Sequence, residues 1–161
     1  MKIRPEFHQR GFTLVEMLIA LGLFMTLTIT LVGASHLSVK ASQISRLRVR
    51  AVTLSRETME TVMAVRANNF GTLHEGIHHP EIIDGQWVLV DGSDVVEGFE
   101  RRVEIYRVQR QMSCGGERVC PIVQSGGVVD PVTFRAKVFI KWQEGKETQQ
   151  LELESLLTFW R

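Results

Sequence analysis

The sequence has almost no net charge and none of the motifs that mark common enzymes. Its 19 Lys and Arg residues and 18 Asp and Glu residues give a formal net charge of +1. Domains that hold nucleic acid by electrostatics are usually strongly basic, so the composition argues against nucleic acid as a partner. The chain contains no Gly-rich phosphate loop, no nucleophile elbow and no paired catalytic carboxylates. We therefore expect a protein that is not an enzyme and that binds no cofactor.

The length of the chain limits its organisation. At 161 residues it is long enough for one domain with a hydrophobic core. It is too short for two such domains and a membrane segment together. We therefore expect one folded domain and one anchor.

Cysteine is scarce, and both cysteines lie in one place. Cys114 and Cys120 are the two ends of the segment CGGERVC. A local disulfide fits this spacing and implies an oxidising compartment, and a reduced pair is the alternative. A zinc site made by these cysteines with His78 and His79 is disfavoured, because the spacing is not the short Cys-x2-4-Cys of structural zinc sites. The sequence therefore predicts a disulfide and no metal site.

Charge is missing from one long stretch near the N-terminus. Residues 17 to 35 are 19 consecutive residues without a charged side chain, and Glu16 is the only charged residue between Arg10 and Lys40. An apolar helix needs about 20 residues to cross a bilayer. The stretch also lacks proline, so a helix can run through it without a break. We expect a membrane-spanning helix here.

The helix is predicted to continue beyond the apolar stretch. Further on, apolar and small residues recur at intervals of three and four between charged ones. These residues are Ile44, Leu47, Ala51, Leu54, Thr58, Thr61 and Val65. A helix from Phe12 to about Asn68 would then span the membrane over residues 12–37 and be amphipathic over residues 38–70. The segment Asn68-Asn69-Phe70-Gly71 predicts the end of the helix.

Residues 71–161 are predicted to form a β-sheet domain. Residues 71–86, which include Pro80, have no strong periodicity and are expected to form a connecting loop. Two segments with strand character follow, at residues 87–90 and 99–108.

The clearest strand pattern is at the C-terminal end. Apolar residues occupy alternate positions, with Phe139 as the exception. They are Val132, Phe134, Ala136, Val138, Ile140 and Trp142. After a turn at residues 144–147, the alternation returns in Leu151, Leu153, Leu157 and Phe159. The apolar face of this hairpin needs a partner, and the amphipathic helix presents one. We predict an α+β fold, with one long helix packed on an antiparallel sheet of about four strands.

A short motif stands directly before the apolar stretch. Residues 10–21 read RGFTLVEMLIAL, and the segment before them is short, polar and net positive. This resembles the type IV prepilin signature, in which a membrane peptidase cuts after the Gly and methylates the new N-terminal residue. The resemblance implies that residues 1–11 are a cleaved leader, with cleavage after Gly11 and methylation of Phe12. It also implies that Glu16 is the acid used in assembly.

The resemblance extends to the fold and to the partners. A long N-terminal helix packed on an antiparallel sheet is similar to the pilin fold over most of the chain. The resemblance implies a minor pilin or pseudopilin of a type IV pilus or a related filament, such as that of type II secretion. Its partners would be the prepilin peptidase/methyltransferase, the inner membrane and other pilin subunits. The precursor would cross the cytoplasmic membrane once, and the assembled protein would lie in an extracytoplasmic filament at the cell surface.

Two other interpretations stay open. A membrane-anchored extracytoplasmic binding module that is not built into a filament would have no need of the Gly11-Phe12 junction or of Glu16. A conventionally secreted protein cut near Ala34 would lose the whole apolar stretch. The mature N-terminus distinguishes all three.

Four arginines follow the apolar stretch, namely Arg46, Arg48, Arg50 and Arg56. Residues two apart point to different sides of a helix, so the arginines do not form one stripe for DNA or lipid phosphates. We expect a solvated helix face or contacts between filament subunits.

Overall fold

The computed structural model describes residues 13–115 and 120–159. Within these residues it has one helix, α1 (Leu14–Asn68), a 3-10 turn (Phe70–Thr72) and seven strands. The strands are β1 (Gly76–Ile83), β2 (Gln86–Asp91), β3 (Asp94–Val96), β4 (Phe99–Arg110), β5 (Ile122–Val123), β6 (Val128–Glu144) and β7 (Glu147–Thr158).

The chain divides into two compact units, residues 1–44 and residues 45–161, and α1 contributes to both. The helix ends at Asn68, within the segment 68–71 that predicted its end. Its predicted first residue, Phe12, lies outside the described residues, and the helix begins at Leu14. In the first unit the described residues form the apolar part of α1. The second unit contains the rest of α1 and the sheet.

All seven described strands belong to one antiparallel sheet. Its main order is β2-β1-β4-β6-β7, and the short strands β3 and β5 both pair with β4. This confirms the α+β fold with a long N-terminal helix on an antiparallel sheet. The predicted number of about four strands was too low, since the part of the chain that the structure describes has seven.

The largest missed strand is β1, because residues 71–86 were predicted to be a loop. The strand was missed because Pro80 and the neighbouring polar residues give this segment no clear alternation of apolar and polar side chains. In the structure β1 pairs with β4 only at residues 76–78, and with β2 from His78 to Ile83. Pro80 therefore lies beyond the pairing with β4, where a missing N–H breaks no bond to that strand. Its carbonyl accepts a hydrogen bond from Nη2 of Arg101 at 3.1 Å.

The core of the second unit lies between α1 and the sheet. The helix contributes Ala51, Leu54, Met59, Val62 and Val65. The sheet contributes Phe99, Val103, Ile105, Phe134, Ala136, Val138, Ile140, Trp142 and Leu157. The predicted helical spacing is confirmed, because the positions it named from Ala51 to Val65 are buried. Full burial of one such aliphatic side chain contributes about 1.5–3 kcal/mol, so this face holds the helix on the sheet.

Strand β6 follows the predicted alternation only in part. From Phe134 to Trp142 the alternate apolar residues are buried, but Val132 is 43% exposed and Thr133 is buried instead. The pairing of β4 with β6 shifts register between Arg107 and Gln109. A bulge of this kind changes which face the next side chains occupy, and the alternating pattern cannot predict it.

The C-terminal hairpin agrees with the sequence. Strands β6 and β7 pair without a break from Thr133–Thr158 to Glu144–Glu147. Gly145 has a φ of 69° at the first position of the two-residue turn. This conformation suits glycine and matches the twist of the two strands.

Candidate functional site

The helix that carries the sequence motif begins with a capped first turn. The N–H of Glu16 donates to Oγ1 of Thr13 at 3.3 Å, and the N–H of Met17 donates to the carbonyl oxygen of Thr13 at 3.1 Å. Thr13 is therefore the N-cap, and Glu16 is the third residue of the helix. A carboxylate in the first turn is stabilised by the helix dipole. Glu16 is exposed in this turn.

The side chains that follow Glu16 are mostly apolar, and they are exposed on all sides of the helix. None of the most apolar 18 residues of α1 is buried within the protein. Leu18, Phe24 and Ile29 are 60%, 67% and 71% exposed. Water is a poor solvent for such a surface, and a helix that is apolar all round suits lipid or neighbouring apolar helices.

Three threonine hydroxyls of this segment form hydrogen bonds inside the helix itself. The hydroxyls of Thr26, Thr28 and Thr30 each donate to a backbone carbonyl three or four residues earlier, at 2.8 Å. Lipid offers no partner for a hydroxyl, so internal hydrogen bonds are what a membrane-spanning helix requires. The apolar part of α1 is thus suited to a membrane in composition and in its hydrogen bonding.

Residues 7–32 match a family model described as the prokaryotic N-terminal methylation motif. The chain carries this motif. It indicates a type IV pilin-like substrate of prepilin peptidase and supports a membrane-anchored precursor. The match includes Gly11, Phe12 and Glu16 and does not reach the sheet domain. No curated protein and no solved structure matches the chain.

The structure bears on only one of the three motif residues. Gly11 and Phe12 lie outside the described residues, so the cleavage site and the methylated residue stay predictions from the sequence. Glu16 lies at the start of the apolar helix. Its role in assembly also stays a prediction.

The two cysteines are joined in the structure by a disulfide between Cys114 and Cys120. They lie in the connection between β4 and β5, and residues 116–119 are outside the described residues. The side chain of Arg110 holds this connection to the sheet, because its Nη1 donates to the carbonyl oxygen of Cys120 at 2.8 Å. The sequence did not predict this contact.

Two of the four arginines have partners within the second unit. Arg48 donates from Nε and Nη2 to the carboxylate of Glu144 at 3.2 and 3.1 Å. Arg50 donates from Nε to Oε2 of Glu97 at 2.8 Å. That hydrogen bond lowers the pKa of Glu97 and raises the pKa of Arg50. The two side chains reach different turns of the sheet, which agrees with their predicted directions on the helix.

Sequence reasoning missed one group of potential ligands. It considered His78 only with His79 and the cysteines, but the cysteine sulfurs are bonded to each other. The structure instead brings His78 together with His74 and Asp91. The pairing of β1 with β2 sets His78 opposite Asp91, and knowledge of this pairing would have identified the group. That register could not be read from a segment predicted to be a loop.

Proposed function

We propose that this protein is a minor subunit of a type IV pilus or of a related secretion or uptake pseudopilus. Residues 1–11 are a leader that prepilin peptidase removes, and Phe12 becomes the methylated N-terminus. Residues 12–37 anchor the precursor in the inner membrane and later pack in the filament. Residues 38–70 support the sheet domain of residues 71–161 outside the membrane. The observation that carries the proposal is the methylation motif at residues 7–32 on an exposed apolar helix.

The position of Glu16 supports assembly through charge pairing. A carboxylate in a membrane-spanning segment costs about 2.5–3.5 kcal/mol at depth unless it has a partner. Cleavage after Gly11 would create a positively charged amine at Phe12, four residues before Glu16, and residues four apart share one face of a helix. Within one subunit this pairing is local. In a filament, the carboxylate of one subunit pairs with the amine of its neighbour and sets the register of the two helices.

The glycines of the apolar helix support close packing between subunits. A Cβ atom built at Gly22 or at Gly33 would meet no atom within 4 Å. Packing within the chain therefore gives no reason for glycine at either position. Small residues let the backbones of neighbouring helices approach in a membrane or a filament.

The experiment compares Glu16→Gln with the wild-type chain in the native host. We expect cleavage, membrane insertion and folding of the sheet domain to be retained, because the substitution removes a charge that is costly in lipid. Recovery in sheared filaments relative to the membrane fraction should fall by about tenfold or more. Thr26→Val is the matched control. It also replaces an exposed polar side chain of the apolar helix, and its recovery should equal that of the wild type.

Two outcomes would contradict the proposal. If Glu16→Gln leaves the ratio of filament to membrane protein unchanged, the charge has no role in assembly. If the wild-type chain itself is absent from filaments, the membrane-anchored binding module becomes the better interpretation.

A further inference from the structure

Three side chains meet at the edge of the sheet where β1 pairs with β2. His74 precedes β1, His78 lies within β1 opposite Asp91, and Asp91 is the last residue of β2. Nδ1 of His78 lies 2.9 Å from Oδ1 of Asp91, and Nε2 of His74 lies 3.5 Å from the same oxygen. One ligand atom from each of the three residues lies within 4.8 Å of the other two. All three residues belong to the second unit of the chain.

The other nitrogen of each ring faces a backbone carbonyl. Nδ1 of His74 lies 2.9 Å from the carbonyl oxygen of Thr72, and Nε2 of His78 lies 3.1 Å from the carbonyl oxygen of His74. A carbonyl oxygen only accepts hydrogen bonds, so each of these nitrogens must carry the hydrogen. In a neutral ring, the remaining nitrogen then presents a lone pair. Two nitrogen lone pairs therefore converge on a carboxylate oxygen, which also only accepts.

Because His78 is buried, this excess of hydrogen-bond acceptors over donors is costly at its ring. Its side chain is 1% exposed, and its Nδ1 is buried without a hydrogen-bond partner among the described residues. The carboxylate of Asp91 is near, but it is not placed for a hydrogen bond with the ring. A buried polar atom without a partner is costly, and a bound water molecule or ion can supply the missing partner. Nδ1 of His79 is unpartnered too, but only Nδ1 of His78 lies beside a second histidine and a carboxylate. Gly76 leaves room for the ring, since a Cβ atom there would lie 3.2 Å from Nε2 of His78.

We propose that His74, His78 and Asp91 bind one divalent transition-metal ion of the Zn²⁺ class. A bound cation accepts the three converging lone pairs, so the three acceptor atoms no longer face one another without a partner. Tetrahedral bonds of about 2.1 Å place ligand atoms roughly 3.4 Å apart, close to the separations of 2.9 and 3.5 Å found here. Ring N–H groups donated to backbone carbonyls are the usual outer support of metal-bound histidines. Two imidazoles disfavour Ca²⁺ and Mg²⁺, which prefer oxygen ligands.

The site would act as a structural clamp. His74 follows the 3-10 turn that ends the helical region, whereas Asp91 ends β2. Both side chains are largely exposed, at 60% and 83%, so a water molecule can provide the fourth ligand. The bound ion would fasten the connection after α1 to the edge of the sheet. This inference concerns the sheet domain alone and does not depend on the proposed role in a filament.

The test measures Zn²⁺ binding by the full-length chain in detergent after treatment with a chelator. Calorimetry at neutral pH should give one ion per chain, and Zn²⁺ should raise the melting temperature. Co²⁺ should produce the visible absorption of a tetrahedral site. His74→Ala and Asp91→Asn change exposed residues, so they should fold, and each should weaken binding by about tenfold or more.

The matched control is His79→Gln, which removes the neighbouring histidine on the other face of β1. It should bind Zn²⁺ as tightly as the wild-type chain. Absence of saturable binding would overturn the proposal, and would mean that His78 and Asp91 form only an ion pair. Equal affinity in the wild-type chain and in His74→Ala would also overturn it, because the ion would then be bound elsewhere.

Discussion

Arg110 donates from Nε to Oδ2 of Asp130 at 2.6 Å, and this pair joins β4 to the start of β6. Asp130 is only 7% exposed, and its Oδ1 accepts the backbone N–H of Val132 at 2.9 Å. The same guanidinium reaches the carbonyl oxygen of Cys120. One arginine therefore holds the bulged part of β6 and the disulfide-bonded connection together.

This arrangement predicts a dependence of stability on pH. Burial alone would raise the pKa of Asp130, but hydrogen bonds from Val132 and Arg110 outweigh it and lower the pKa below its usual value. A carboxyl group with a lowered pKa stabilises the fold above its unfolded pKa of about 3.9 and loses that contribution as the pH falls through the folded value. Asp130→Asn should lower the free energy of unfolding by about 2 kcal/mol at neutral pH.

The measurement is denaturant unfolding of the full chain in detergent at several pH values. The difference between the wild type and Asp130→Asn should shrink as the pH falls below about 4, because the unfolded chain then binds a proton at Asp130 while the native carboxyl group stays ionised. It should be lost once the pH lies below the lowered native pKa. Glu81→Gln is the control, since it neutralises an exposed acid and should change little. A difference that stays constant down to strongly acidic pH would contradict the assigned role of the charge.

The disulfide should stabilise the sheet domain modestly. Cys114 and Cys120 are six residues apart, and closing so short a loop contributes about 2 kcal/mol by chain entropy. Replacement of both by Ser should lower the unfolding free energy by this amount, and a reductant should do the same to the wild-type chain. Unfolding curves with and without reductant are the measurement. The double variant should be insensitive to reductant, and an equally insensitive wild type would contradict the prediction.

Contact between α1 and the sheet should depend on the buried face of the helix. Val62 is fully buried in the core, whereas Val49 is 62% exposed on the same helix. Val62→Ala should cost about 2 kcal/mol, through lost apolar burial and the cavity left behind. Val49→Ala makes the same chemical change at the surface and should be neutral or slightly stabilising, because Ala favours helix. Equal effects in denaturant unfolding would mean that the core assignment is wrong.

The leader junction can be tested in the native host by intact mass. We expect the wild-type chain to lack residues 1–11 and to carry one methyl group on Phe12. Gly11→Val should keep the full precursor in the membrane, because a branched side chain hinders the extended backbone that a peptidase must hold. Ser35→Val is the control near the alternative cleavage site at Ala34. Cleavage there in the wild type would favour a conventional secreted protein.

Local patterns along the chain were enough to predict several elements of the fold. The charge-free run at residues 17–35 indicated the apolar helix, the three- and four-residue spacing from Ala51 to Val65 indicated its buried face, and alternation indicated the C-terminal hairpin. Each of these patterns reflects the repeat of a single helix or strand, so it can be recognised without knowing which segment packs against it. The motif around Gly11 predicts a processing site by its resemblance to the prepilin signature, and that site stays a prediction.

Features that depend on pairing between distant segments became visible only in the folded chain. Strand β1 has no clear alternation, and its strand conformation depends on hydrogen bonds to β2 and β4. The same pairing places His78 opposite Asp91. The bulge between the paired residues Arg107 and Gln109 turns Val132 outward and brings Asp130 to Arg110. Residues far apart in the chain set these relationships through strand register, and register is a property of the assembled sheet that no local pattern records.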